Sequence, residues 1–152
     1  MNETMISIRP FCEEDLGEWF RLRQLLWDET DQEDHQREMM DILDHRDTQF
    51  VVVADNGHGQ LAGFLEASIR PFVEDCESEN VGYLEGWYVD KAYRRLGVGS
   101  RLVELAEKWA RQRGCTEMAS DAEIDNGPSL AAHDRLGYKE TSRLVHLRKN
   151  LD

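Results

Sequence analysis

Apolar and polar positions alternate with two different periods along the chain, and each period predicts a different element. Met5-Ile6-Ser7-Ile8-Arg9 alternates one by one, as a half-buried strand does, and Pro10 stops it. Glu13, Glu14 and Asp15 follow, where a helix N-terminus favours negative charge. Leu16, Trp19, Phe20, Leu22, Leu26 and Trp27 then recur at helical spacing. A second, more polar helix is predicted over residues 31–45, with Met39, Ile42 and Leu43 as its apolar stripe. Residues 50–54 read as a buried strand, residues 56–59 as a turn, and residues 61–69 as the returning hairpin strand. An acidic loop spans residues 74–80, and another strand covers residues 81–89.

Residues 97–113 form the clearest amphipathic helix, with Val98, Leu102, Leu105, Ala106 and Trp109 on one face. Gly114 is its natural stop. A short strand over 115–120, a helix over 126–136 with Pro128 in its first turn, and final strands through Lys149 complete the order. The order β-α-α-β-β-β-α-β-α-β-β predicts a mixed α/β (α+β) domain. No repeat, low-complexity tract or linker interrupts it, so residues 1–152 read as a single domain.

Composition narrows the class. The longest apolar runs are far short of the ~20 residues that span a bilayer, and the first residues lack the basic and apolar regions of a signal peptide. A cytoplasmic protein without membrane contact is expected. Cys12, Cys76 and Cys115 are odd in number and contain no C-x-x-C spacing, which argues against a disulfide framework or a zinc site. The net charge of −13 disfavours a nucleic-acid partner and is compatible with a soluble surface or a polycationic ligand.

The chemistry concentrates in Val89-Asp90-Lys91-Ala92-Tyr93-Arg94-Arg95-Leu96-Gly97-Val98-Gly99-Ser100. A strand ends, a basic loop follows, and a helix opens at two glycines. Unpaired N–H groups and the helix dipole make such a terminus an anion site. Gly97 and Gly99 permit close approach, and Arg94 and Arg95 add charge-assisted hydrogen bonds. A phosphate or pyrophosphate ligand is implied. The P-loop pattern is absent, and Leu102 stands where a dinucleotide fingerprint needs its third glycine.

The Arg-x-x-Gly-x-Gly run of Arg94, Gly97 and Gly99 resembles the pyrophosphate loop of the GCN5-related N-acetyltransferases. The later Asn126 and Leu136-Gly137-Tyr138 fit that superfamily's terminal helix, so the resemblance extends over essentially the whole chain. Within it, the aminoglycoside 6'-N-acetyltransferases are the most similar, through Leu22-Arg23-Gln24-Leu25-Leu26-Trp27, Ala67-Ser68-Ile69-Arg70, Leu84-Glu85-Gly86 and above all Glu117-Met118-Ala119-Ser120-Asp121. The resemblance implies a central mixed, mostly antiparallel sheet with helices on both faces. It also implies acetyl-CoA as cosubstrate, no metal, an aminoglycoside acceptor and a homodimer.

The reaction implied is acyl transfer from a thioester to an amine. An aliphatic ammonium with a pKa near ~10.4 must lose a proton before it attacks, and the developing oxyanion needs a donor. Strand alternation places Glu85, Trp87 and Val89 on one face. By resemblance, Glu85 is the acceptor carboxylate and water-mediated base, and the Val89 N–H is the oxyanion donor. Backbone groups of Trp87, Tyr88 and Val89 would hold the pantetheine arm. Arg94, Arg95, Leu96, Gly97, Val98, Gly99 and Ser100 would hold the pyrophosphate, and Asn126 would serve as helix cap, cofactor ligand or both. Trp27, Thr30, Glu66, Phe72, Asp121 and Ser142 are the further acceptor contacts implied.

The chain departs from the resemblance in three places. His133 lies in the region of the usual tyrosine acid, Leu147 replaces a tyrosine in the final segment, and Asp28 replaces a proline after Trp27. A general acid is therefore not assigned. Two other readings remain at this stage: an acetyltransferase for a polyamine or protein N-terminus, and a non-catalytic acyl-CoA-binding domain.

Overall fold

The computed structural model describes residues 5–152. The chain divides into two compact units, Met1–Ser120 and Asp121–Asp152. In the first unit, β1 (Ser7–Pro10) leads through a 3-10 turn into α1 (Leu16–Leu26) and α2 (Gln32–Asp44). Then come β2 (Gln49–Asp55), β3 (Leu61–Arg70), β4 (Val81–Val89), α3 (Val98–Gln112) and β5 (Met118–Ser120). The five strands form one sheet in chain order. β1 to β4 pair antiparallel, and β5 runs parallel to β4.

Side-chain alternation gives the sheet two buried faces. Val51 and Val53 of β2 and Phe64 of β3 pack with Trp19 and Leu22 of α1 and Met39 of α2. The opposite face meets α3: Phe50 stacks on Trp109 with centroids 5.0 Å apart. A Cβ on Gly63 would lie 3.4 Å from Leu102, and one on Gly82 would lie 3.0 Å from Ala110. Most of the predicted stripe of α3 is the face that packs: Val98, Leu102, Ala106 and Trp109 are buried, joined by Val103, whereas Leu105 is only half-buried. Each such Val or Leu stabilises the fold by about 1.5–3 kcal/mol.

Local signals set the helix ends. Asp31 caps α2 by accepting the Asp34 N–H at 2.9 Å. Gly114, at φ +87°, follows α3 in the left-handed conformation that closes helices.

In the second unit, Asn126 caps α4 (Gly127–Arg135), its side chain accepting the Ser129 N–H at 3.2 Å. Gly137, at φ +91°, follows the helix, and the Tyr138 ring meets His133 edge-on at 5.7 Å. The strands predicted through Lys149 do not form: residues 139–152 carry neither helix nor strand. Alternation supplies strand propensity, but a strand also needs a ladder partner for its backbone groups. None of the four strand pairings among the described residues engages this segment.

Candidate active site

The site is organised by an irregularity in the β3–β4 ladder. Glu66 faces Gly86 and Ala67 faces Leu84, so Glu85 has no residue opposite it and is bulged. One extra residue reverses the faces on its two sides. The expectation that Glu85, Trp87 and Val89 share a face is therefore incorrect. Glu85 turns to the face of Ser68 and Arg70 and bonds to both, whereas Trp87 lies on the α3 side against Gly99. The sequence held a signal for this, since a glycine inside a strand pattern often marks a bulge or a close approach. Gly86 is such a residue.

Glu85 is held by three donors. Ser68 Oγ donates to Oε2 at 2.5 Å, Arg70 Nε to Oε2 at 2.9 Å, and Arg70 Nη2 to Oε1 at 2.7 Å. Arg70 in turn stacks on the Tyr83 ring at 3.6 Å. Ser68 and Arg70 entered the sequence reading only as part of a resembling run, and their bonds to Glu85 depend on a cross-strand register that composition does not reveal.

Trp27 ends α1 and packs against the bulge: a Cβ on Gly86 would fall 2.7 Å from Trp27 Cζ2. Beneath it, the buried Arg23 guanidinium lies 4.7 Å from the Trp27 ring centroid. Arg23 also reaches Glu66 at 2.9 Å, Glu38 at 2.5 Å and His35 Nδ1 at 3.3 Å. His35 Nε2 contacts the Trp27 carbonyl at 3.2 Å, and the same carbonyl accepts the Thr30 N–H at 3.2 Å. Thr30 and Trp27 thus belong to one fixed turn.

Glu66 does not face an acceptor. It is 4% exposed, and its oxygens are taken by Arg23 and by the Trp19 indole N–H at 2.9 Å. Strand alternation points Glu66 into the α1–α2 core, which makes it an internal support of the Trp27 turn. Burial pushes its carboxyl up to about 7, against the opposing pull of Arg23.

The other edge of β4 suits an extended ligand. β5 pairs with β4 only from Gly82 to Leu84, so its ladder ends where the bulge begins. The Asp90 N–H donates to Ala62 O at 2.8 Å, toward β3. Hydrogen-bond directions alternate along a strand, which turns the Val89 N–H to the opposite edge and the Tyr88 N–H back into the sheet. On that opposite edge Arg94 Nε donates to Val89 O at 2.7 Å, and the Arg94 guanidinium lies 5.4 Å from the Tyr88 ring centroid.

The loop then prepares the start of α3. Arg95 has φ +67° and Gly97 has φ +78°, both left-handed, and Gly97 is the N-cap without a side-chain cap. A left-handed residue followed by a right-handed one turns successive N–H groups to one side, forming an anion-binding nest. Val98 is buried, leaving only its backbone for a ligand, while Arg95, Leu96 and Ser100 are exposed. The nest and the open strand edge fit a pyrophosphate with an extended amide-bearing arm, as acetyl-CoA has.

Phe72 stands beyond β3 with 65% exposure. The acidic loop that follows is anchored by Glu117, which accepts the Glu77 and Ser78 N–H groups at 2.9 and 2.7 Å. Asp121 and Ser142 are exposed residues of the second unit, and Asn126 is its helix cap. Among the described residues, no group of three His, Cys, Asp or Glu side chains could hold a metal ion, and no helix is long and apolar enough to cross a membrane.

A bulged strand that presents a carboxylate on one face, and opens its edge beside a glycine nest, defines an acyl-CoA acyltransferase architecture. The chain belongs to the acetyltransferase (GNAT) family, whose model matches residues 17–138. It is 42% identical over 146 residues to an aminoglycoside N(6')-acetyltransferase type 1 of Klebsiella aerogenes, covering 95% of this chain and 96% of the relative. The apo crystal structure of the aminoglycoside 6'-N-acetyltransferase AAC(6')-IG from Acinetobacter haemolyticus matches with a TM-score of 0.88 at 41% identity, covering 96% and 99% of the two chains. AAC(6')-Iy, solved in complex with the bisubstrate analogue CoA-S-monomethyl-acetylneamine, matches with a TM-score of 0.90 at 34% identity, covering 97% and 99%.

Proposed function

We propose that this protein is an aminoglycoside 6'-N-acetyltransferase, moving an acetyl group from acetyl-CoA to the 6'-amine of an aminoglycoside and so conferring resistance. The observation that carries the reading is the bulge at Glu85. It sends an anchored carboxylate to the Trp27 face while the adjoining strand edge stays open toward the α3 nest.

Acetyl-CoA supplies the activated acetyl group. Arg94, Arg95, Leu96 and the N–H groups from Gly97 to Ser100 hold its pyrophosphate, with the Trp87–Val89 edge along the pantetheine and Asn126 as a further contact. Glu85 draws in the acceptor ammonium and takes its proton through a water, leaving the free amine as nucleophile. The Val89 N–H, already directed at the open edge, stabilises the charge that develops on the carbonyl oxygen. Trp27, Thr30 and Phe72 of the first unit are acceptor contacts in this reading, and Asp121 and Ser142 of the second are taken as acceptor contacts on the resemblance alone. The polycationic acceptor suits the net charge of −13.

The family match over residues 17–138 reaches into both compact units, which supports a single catalytic domain over residues 1–152. Dependence on acetyl-CoA points to the cytoplasm. The exposed apolar residues of 139–152 support a homodimer, and nothing in the charge favours nucleic acid.

A thiol-release assay tests the reading, with acetyl-CoA and, in turn, kanamycin A, spermidine and a peptide with a free N-terminus. Turnover of kanamycin A is expected, with NMR placing the acetyl group on the 6'-nitrogen. Efficient peptide or spermidine turnover without any on kanamycin A would overturn it. Glu85→Gln should lower kcat while leaving acetyl-CoA affinity nearly unchanged.

A further inference from the structure

We infer that Arg70 is a specificity-determining residue, a resident cation on the acceptor carboxylate that every incoming ammonium must share. The inference rests on the reading of Glu85 as that carboxylate.

Ser68, Arg70, Tyr83 and Glu85 form one cluster on one face of β3 and β4. Ser68 and Arg70 are two residues apart on β3, and the bulge brings Glu85 round to meet them. Arg70 is fixed from two sides, by its paired bonds to Glu85 and by the Tyr83 ring 3.6 Å below. A guanidinium stacked on an aromatic and forked onto a carboxylate keeps its pose at low entropic cost. The pair still meets solvent, with side-chain exposures of 43% for Arg70 and 29% for Glu85.

A carboxylate accepts about four hydrogen bonds. Ser68 and Arg70 supply three, so room remains for one more donor, an ammonium or its bridging water. Two consequences follow. The fixed fork sets the direction of the remaining lone pair, which favours a single productive pose of the amine. The guanidinium charge also repels the substrate ammonium, so Glu85 binds a cation more weakly than a bare carboxylate would. Arg70 thus gives up acceptor affinity for orientation.

Arg70→Gln removes the charge, Arg70→Lys keeps it without the fork, and each is combined with Glu85→Gln. Kinetics are followed with kanamycin A and acetyl-CoA as separately varied substrates. Arg70→Gln should lower the acceptor KM by about five-fold, the size of one like-charge contact near solvent, and should also lower kcat. Arg70→Lys should keep the wild-type acceptor KM with a reduced kcat. The acetyl-CoA KM, which misfolding would disturb, should stay unchanged in both. In the Glu85→Gln background the kcat effect, which acts through the fixed lone pair of Glu85, should vanish.

If Glu85→Gln is impaired but Arg70→Gln leaves the acceptor KM unchanged or raises it, Arg70 does not have this role. If Glu85→Gln behaves as wild type, the reading of Glu85 fails and the inference goes with it. An Arg70→Gln protein that does not fold leaves the decision to Arg70→Lys: an acceptor KM that departs from wild type there overturns the proposal.

Discussion

Trp27 lies against Gly86 so closely that the strand has no room for a side chain there. A Cβ on Gly86 would come within 2.7 Å of Trp27 Cζ2 and would meet the neighbouring ring atom too. The contact joins the end of α1 to the bulge that projects Glu85, so the Trp27 turn and the Glu85 carboxylate are positioned together.

Gly86→Ala should therefore act on the acceptor side. The Trp27 ring must move, and overpacking of this kind costs about 1–3 kcal/mol. A lower melting temperature is expected, with a raised acceptor KM and little change in the acetyl-CoA KM. An unchanged acceptor KM would show that the ring position does not matter to binding.

The pair below this contact should make stability depend on pH. Arg23 serves two carboxylates, Glu66 at 2.9 Å and Glu38 at 2.5 Å, so the trio can hold a proton without leaving the guanidinium unpaired. Burial raises the Glu66 carboxyl to about 7, above its ordinary value of 4.5. A raised group binds its proton more tightly in the folded state. Its contribution is full below the ordinary value and is lost as pH rises through about 7. The difference in melting temperature between wild type and Glu66→Gln should thus be more favourable to wild type at pH 5 than at pH 7.5. The opposite trend would mean that Arg23 outweighs burial. Arg23→Ala, which strands Glu66 in the core, should cost about 3–5 kcal/mol.

Periodicity made most of this fold legible. Residues 81–89 and the stripe of α3 were readable because alternation and helical spacing report burial directly. The phosphate loop was readable because it is local, a few residues whose backbone conformation follows from glycine and the start of a helix. The facing of Glu85 was not legible, because one bulged residue reverses alternation. The burial of Glu66 was not legible for a related reason: the Arg23 that pairs with it lies 43 residues away in the sequence. The C-terminal strands failed because strand pairing is decided by the available edge and not by the segment alone.

Gly97 offers a test of backbone conformation separate from side-chain crowding. Its φ is +78°, and a Cβ there would have nothing within 4 Å. Any effect of Gly97→Ala must come from the left-handed backbone, which costs an L-residue roughly 1–2 kcal/mol. The turn should relax and take its N–H groups out of the nest. Calorimetry should show CoA binding weakened by on the order of ten-fold, the loss of one or two hydrogen bonds to a charged group. The KM for kanamycin A should barely move. Gly99→Ala makes a useful contrast, since its Cβ would touch Trp87 Cζ2 at 3.2 Å and act through that ring.

The C-terminal segment bears on assembly. Leu144, Val145, Leu147 and Leu151 are 65%, 81%, 91% and 87% exposed, a row of apolar side chains in a chain of 17.7 kDa. The segment has strand-like composition without a ladder, and a second copy would offer both backbone partners and apolar cover. Light scattering after size exclusion should give about twice the chain mass for wild type. Leu147→Asp places a charge in the middle of the row, where burial against a partner would be costly. It should shift the population toward single chains at micromolar concentration, whereas Lys149→Asp, which replaces an already charged side chain between Leu147 and Leu151, should have a smaller effect. A wild-type protein that runs as a single chain would end the assignment, and an intact Leu147→Asp dimer would move the interface elsewhere.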